Sequence, residues 1–280
     1  MSRVRIVTDS TADLPKDILE QYGITVVPLR VLVDGQIYRD GIDLTSEDFY
    51  KRLPQTKNLP TTSQPSPGEF TAAYEDLIRN GDSVVSIHIS GGLSGTMHSA
   101  QLAVTMVEGE VTVIDSRTTA LALGLIVLGA ARAAQEGKSH GEVVALVEKL
   151  IKKTQLFFVL DTLEYLQKGG RIGKGGALLG SLLNVKPILT VKEGIVTPVD
   201  KVRGENKALE RMLQLSREIT GGQKIICGVL HGNSYARGMK LHERVVAEFN
   251  TTEILISEIS PVIGAHVGPG ALGIAFYIVE

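Results

Sequence analysis

Cysteine is almost absent from this 280-residue sequence: Cys227 is the single one, set in the apolar run Ile225-Ile226-Cys227-Gly228-Val229-Leu230. One thiol excludes an intrachain disulfide and a cysteine-rich metal site, and its setting reads as a buried strand. Charge of one sign is lacking as well. With 29 Lys and Arg against 31 Asp and Glu, no bulk field selects nucleic acid, an anionic membrane or a cationic partner. The longest apolar stretch, Thr118 to Ala134, is interrupted by Gly124, Gly129 and Arg132. A spanning helix needs about 20 mostly apolar residues, so this stretch reads as a buried helix. The opening Met1-Ser2-Arg3-Val4-Arg5-Ile6-Val7 lacks the charged, apolar and small-residue succession of a secretory signal, which makes the cytoplasm the expected location. The six histidines include no His-Glu-x-x-His or comparable pair, so no metal site is expected.

What the chain has is alternation. Arg3 to Thr8 reads as a buried strand, Pro15 to Tyr22 as a helix, and Ile24 to Val33 as a strand turned back at Asp34-Gly35. Thr45-Ser46-Glu47-Asp48 and Ser66-Pro67-Gly68-Glu69 read as helix starts, the second as a capping box with proline at the first helical position. Strands at Ser83 to Ile89 and Val111 to Ile114 follow, with helices from Ser94, Thr118 and Ser139. This order predicts a mostly parallel sheet with helices on both faces over residues 1–154. From Gln155 onward the character changes. Pro187 to Val191 and Ile195 to Val199 flank the turn Lys192-Glu193-Gly194, and the helices and strands after Glu205 predict a second α/β domain with a mixed sheet over residues 155–280. The predicted fold class is therefore α/β with two different domains and no internal repeat.

Ligands in such sheets gather beyond the carboxyl ends of the strands. Asp9-Ser10-Thr11, Ser90-Gly91-Gly92-Leu93-Ser94-Gly95-Thr96 at a strand-to-helix junction, and Asp115-Ser116-Arg117 lie at such ends, and a further hydroxyl-rich loop, Pro60-Thr61-Thr62-Ser63-Gln64-Pro65-Ser66-Pro67, strengthens the Ser90 to Thr96 signal. Glycines give the backbone room there, and hydroxyls and free amides favour a carboxylate or phosphate. Gly92-Leu93-Ser94-Gly95-Thr96 nearly matches the nucleophile elbow of hydrolases but has threonine where the last glycine belongs, and a base such as His266 with an orienting aspartate would have to meet Ser94. The basic loop Lys168 to Gly176 departs from the Walker pattern at both Lys168 and Gly175, which leaves it as a turn exposing Arg171 and Lys174. His98 reads as a structural histidine. His266 sits in Pro261 to Gly270, read as a loop, where imidazole near an anion serves as donor or proton carrier.

Taken together, several of these segments resemble the DegV family of bacterial fatty-acid-binding proteins. The stretches that carry the resemblance are Thr8 to Pro15, Pro60 to Phe70, Ile89 to Ala100, Asp115-Ser116-Arg117, Leu163 to Gly173, Leu183 to Ile188, Lys201 to Gly204 and Gly264 to Gly273. The resemblance implies a two-domain α/β protein that encloses one long-chain fatty acid, without other cofactor, its carboxyl group near the domain junction and its chain enclosed by the C-terminal domain. It also implies a non-enzymatic carrier role, with a separate dihydroxyacetone-kinase-like fatty acid kinase forming the acyl phosphate from ATP; nucleic acid is not implied, and a transient membrane encounter is compatible with it. By resemblance, Thr62, Ser94, Gly95 and Thr96 hold the carboxylate. His266 stands beside it and assists transfer, and Arg171 and Arg203 face the kinase or the phosphate path. The apolar lining is expected from residues 177–183 and from the strand Gly270 to Ile278. Gly91 stands where many members have serine, and Met97-His98 where Tyr-Gln is common. The competing expectation is an enzyme, hydrolase or transferase, acting on a small anionic substrate in the interdomain cleft.

Overall fold

The computed structural model describes residues 3–178 and 185–279. Its first half runs β1 (Val4–Asp9), α1 (Lys16–Tyr22), β2 (Thr25–Val27), β3 (Arg30–Val33), β4 (Gln36–Arg39), α2 (Ser46–Arg52), β5 (Thr61–Ser63) and α3 (Pro67–Ile78). It continues through β6 (Ser83–His88), α4 (Thr96–Val104), β7 (Val111–Asp115), α5 (Ala120–Gln135) and α6 (His140–Lys153). The second half runs β8 (Gln155–Val159), α7 (Glu164–Lys168), β9 (Val185–Lys192), β10 (Ile195–Arg203), α8 (Glu205–Thr220), β11 (Ile225–His231), α9 (Tyr235–Glu248), β12 (Thr251–Glu258), α10 (Pro261–Val267) and β13 (Leu272–Ile278).

The α/β class and the contrast between a parallel and a mixed sheet are as the sequence predicts. Strands β2-β1-β6-β7 form a parallel sheet, and β10-β9-β8-β13-β11-β12 a mixed one in which only β11 and β12 run parallel. A third, antiparallel sheet, β4-β3-β5, was not anticipated. It arises because the run Ile24 to Val33 breaks at Pro28, which has no amide to continue a ladder. β2 thus joins the parallel sheet, and β3 turns away to pair with β4 and β5.

Local signals set the helix starts. Thr45 accepts a bond from the Asp48 amide at 3.1 Å, and Glu69 and Glu142 close capping boxes on Ser66 and Ser139. α5 is apolar on nearly every face, with twelve of its 16 residues buried, and it packs against β1 on one side and β11 and β13 on the other. A helix apolar all round has to be covered all round. One hydrophobic cluster accordingly runs from Ile6 to Tyr277 across both larger sheets. No helix among the described residues is long and apolar enough to cross a membrane.

Two expectations about loops need correction. The segment around His266 is not a loop throughout: Pro261–Val267 is helix α10, started by proline at its first position, and only Gly268-Pro269-Gly270 makes the turn. Within the basic glycine-rich segment, Gly173–Leu178 winds into a short 3-10 helix. Of the stretch 177–183 assigned to the acyl lining, all beyond Leu178 lies outside the described residues.

Candidate functional site: a polar-headed apolar cavity

Thr62, Ser94, Arg171 and His266, drawn from four separated stretches of sequence, line one cavity of about 330 Å³. That volume lies at the lower end of the range usual for small-ligand sites. β5 carries Thr62, fixed by pairing opposite Val31. Ser94 follows β6, Arg171 follows α7, and His266 is in the last turn of α10. The Thr62 hydroxyl and His266 Nε2 are hydrogen-bonded at 2.8 Å. Ser63 and Gln64 continue the polar wall beside Thr62, and the Gln64 amide donates to the Ser99 hydroxyl at 3.1 Å.

The loop after β6 is held by its own hydroxyls. The Ser90 hydroxyl accepts the Gly92 amide at 3.1 Å and donates to the Gly194 carbonyl at 2.8 Å, which fastens the loop to the β9–β10 turn. That turn has positive φ at both Glu193 and Gly194, the form suited to a tight hairpin. A side chain on Gly194 would meet the Ser90 oxygen at 2.5 Å, so glycine permits the approach. Farther along, the Ser94 hydroxyl accepts the Thr96 amide at 3.3 Å and shares a 2.8 Å bond with the Thr96 hydroxyl. Thr96 is fully buried, and neither it nor Gly95 lines the cavity. Any influence of Thr96 on a ligand therefore passes through Ser94.

Arg171 sits at the same end. Its Nε donates to the Leu93 carbonyl at 3.1 Å and its Nη1 to the Gly169 carbonyl at 2.7 Å, so the guanidinium is pinned within the cavity wall. Burial and, secondarily, the charge of Arg171 push His266 down to about 4, which keeps its imidazole neutral near pH 7. The second ring nitrogen, Nδ1, has no hydrogen-bond partner among the described residues and lies against Gly169, where any side chain would collide with it. Sequence reasoning passed over Gly169. Its signal was only a glycine beside another, Gly170, which itself takes positive φ.

Away from this polar end the walls are apolar: Phe158 of β8, Val191 and Val196 of β9 and β10, and Val262, Ile263 and Val267 of α10. A smaller cavity of about 40 Å³ shares Thr119, Phe158, Ile263 and Val267 with the first, and is closed by Leu230, Ala271 and Leu272. The strand after Gly270 thus lines this second compartment. The α10 contribution was missed, although Val262, Ile263, His266 and Val267 share one face of a helix at spacings of one, four and five. Reading the segment as a loop concealed that period.

Arg203 lies elsewhere. It lines a separate cavity of about 640 Å³ together with Lys186, Asp161 and Gly204. His98 is exposed on α4. The hydrolase constellation does not assemble around Ser94, because the Ser94 hydroxyl is bonded to Thr96, His266 to Thr62, and among the described residues no carboxylate orients Nδ1 of His266. An Asp-His-Ser chain does exist in the core: Asp9 to His88 at 2.9 Å, His88 to Ser86 at 2.6 Å and Tyr74 to Ser86 at 2.8 Å. All four side chains are fully buried, so this chain joins β1, β6 and α3 and meets no substrate.

A family model described as "Uncharacterised protein, DegV family" matches residues 3–279. A DegV-family protein from Thermus thermophilus, whose structure reports fatty acid binding, superposes with a TM-score of 0.95 at 40% identity, covering 99% of this chain and 100% of that one. DegV of Bacillus subtilis, a fatty acid binding protein, gives 0.93 at 37% identity with both chains fully covered. A stearic acid-binding protein from Eubacterium ventriosum gives 0.89 at 28% identity, covering 99% and 98%. A family match over residues 3–279, with relatives of 37–40% identity superposing over nearly their whole length, makes this chain a member of the DegV family.

Proposed function

We propose that this protein binds one long-chain fatty acid in the cavity between Thr62 and Phe158, and presents its carboxyl group to a separate ATP-dependent kinase for acyl-phosphate formation. The observation that carries the binding step is the segregation of the cavity: Thr62, Ser94, His266 and Arg171 cluster in walls that are otherwise mostly apolar. A carboxylate accepts from hydroxyl, imidazole and guanidinium donors, while the chain gains on the order of 0.8 kcal/mol for each methylene removed from water. For a C16 chain that sums to about ten kcal/mol before ordering costs. The tail supplies the affinity and the head group supplies the orientation. The fatty acids reported in the relatives from Thermus thermophilus, Bacillus subtilis and Eubacterium ventriosum support this reading.

In this reading Thr62 and Ser94 hold the carboxylate directly. Gly95 and Thr96 keep Ser94 in place, and Arg171 supplies the counter-charge. The carboxylate oxygen attacks the terminal phosphorus of ATP and ADP leaves, neutral His266 orients the carboxylate through its bond to Thr62, the kinase brings nucleotide and metal, and Arg203 belongs to the face that meets it. Solvent extraction and mass spectrometry of the purified protein test the binding step: one equivalent of long-chain fatty acid is expected, and protein free of lipid after palmitate loading contradicts it. Acyl-phosphate formation from palmitate-loaded protein, kinase and ATP tests the presentation step. Kinase turnover of free palmitate at the same rate contradicts the carrier role.

A further inference from the structure

Helix α10, which carries His266, begins without a cap of its own. Pro261 has no amide to offer and the Ser260 side chain does not close on the helix. Its first polar contacts come instead from two aspartates of the N-terminal half. The Ser260 amide donates to Asp13 Oδ1 at 3.3 Å and the Val262 amide to Asp40 Oδ1 at 3.4 Å. Asp13 is 6% exposed and Asp40 2%, and the second carboxyl oxygen of each is buried with no hydrogen-bond partner among the described residues. Two buried acids joined to the start of one helix are an unusual clasp, since a carboxylate stripped of water and short of donors is strongly disfavoured.

The clasp reaches the cavity through the helix itself. Tyr50 and Phe49 pack against Gly264 in the middle of α10, and the last turn holds His266 on Thr62. We infer that Asp13 and Asp40 form a proton-operated latch that sets the position of α10 and, through it, of His266 and the ligand held beneath it. The ligand part of this inference rests on the fatty-acid reading above; the latch does not.

The surroundings of Asp40 fix the direction of the switch. Asp9 at the end of β1 acts on both acids and Asp40 on Asp13, Tyr50 of α2 feels Asp13, Asp40 and Glu258 of β12, and Lys16 of α1 lines with Asp13, Asp40 and Glu258 a second cavity distinct from the ligand cavity. Burial is the largest influence and pushes Asp40 up to about 7, against the opposing hydroxyls of Ser10 and Ser260. Asp13 is driven well above the usual carboxylate range, again by burial first. Glu258 is raised in the same sense. With α10 released, the acids would meet water and return toward an ordinary value near 4. The latched form therefore binds more protons, and raising the pH through about 7 favours release by up to about tenfold per pH unit. His266, held near 4, stays neutral across this interval.

Transfer of bound palmitate from the full-length protein to phosphatidylcholine vesicles, followed between about pH 6 and about pH 8.5, tests the switch. The wild-type rate is expected to rise at least tenfold across that interval. The double variant Asp13→Asn with Asp40→Asn, neutral throughout and still able to accept the Ser260 and Val262 amides, is expected to release palmitate slowly at every pH. An equal rise in the double variant overturns the latch. Hydrogen exchange of the wild-type protein without ligand gives a readout independent of any variant: after correction for intrinsic rates, protection of the Ser260 and Val262 amides is expected to fall over the same interval. Protection independent of pH overturns the latch. If the protein holds no palmitate at any pH, the fatty-acid reading fails, and amide exchange still decides the latch.

Discussion

Thr62 and His266 stand 204 residues apart and share a hydrogen bond of 2.8 Å. Neither is placed by its neighbours in sequence alone. Thr62 is held by an antiparallel strand that exists because Pro28 splits a longer run, and His266 by a helix whose first contacts come from Asp13 and Asp40. Their bond fastens the antiparallel sheet to α10 across the polar end of the cavity. Each prediction that follows perturbs one support of this arrangement or of the core behind it.

Removing a head-group donor should weaken binding modestly. A single neutral hydrogen bond contributes about 0.5–1.5 kcal/mol, so Ser94→Ala and Thr62→Ala are each expected to lower palmitate affinity by about three- to tenfold. Fluorescent fatty-acid displacement measures it. His266→Ala should reduce acyl-phosphate formation with the kinase more than it reduces affinity, and equal losses in both would argue against the division between binding and transfer.

Gly169→Ala should act on His266 without touching the ligand. The added methyl would occupy the space of Nδ1, forcing the ring off Thr62. The expected result is a changed His266 ring resonance, with a loss of palmitate affinity at least as large as that of Thr62→Ala. An unaltered resonance would show that the two residues are not in contact in solution.

Stability should respond to pH through two opposing groups. His266 is lowered to about 4 from an ordinary 6.5, so its contribution is complete above about pH 6.5 and is lost as the pH falls through about 4. Asp40 is raised to about 7, so its contribution is complete below about pH 4 and is lost as the pH rises through about 7. Between these limits each slope is at most about 1.4 kcal/mol per pH unit, with opposite sign. In urea titrations between about pH 4.5 and about pH 6.5, stability should fall with pH in His266→Asn relative to wild type and rise in Asp40→Asn. Identical slopes in both variants would contradict the assignment.

Ser86→Ala should be destabilising and functionally silent. It removes the common partner of Tyr74 and His88 within a fully buried chain, leaving two polar groups unsatisfied at a cost of about 1–3 kcal/mol. Thermal denaturation is expected to show the loss while bound fatty acid per folded molecule stays constant. A drop in loading would instead tie this chain to the ligand.

The sequence by itself determined the elements that local chemistry controls. Apolar period and β-branching gave the buried strands, Ser66-Pro67-Gly68-Glu69 and Ser139-His140-Gly141-Glu142 gave capped helix starts, and Lys192-Glu193-Gly194 gave a hairpin turn. Ser94 was legible as a candidate binding residue because its segment leaves a strand for a helix, and Thr62 because it stands in a hydroxyl-rich segment, although that segment proves to be strand β5. Only the tertiary structure decided that they meet Arg171 and His266 at one end of an apolar cavity, that Arg203 lines a different one, and that Gly169 must lack a side chain. It also decided that Asp13 and Asp40 are buried and joined to the start of α10. The physical reason is the same in each case. Secondary structure follows from neighbours a few residues away, while burial, cavity walls and the charge state of a buried acid follow from which distant segments pack against it.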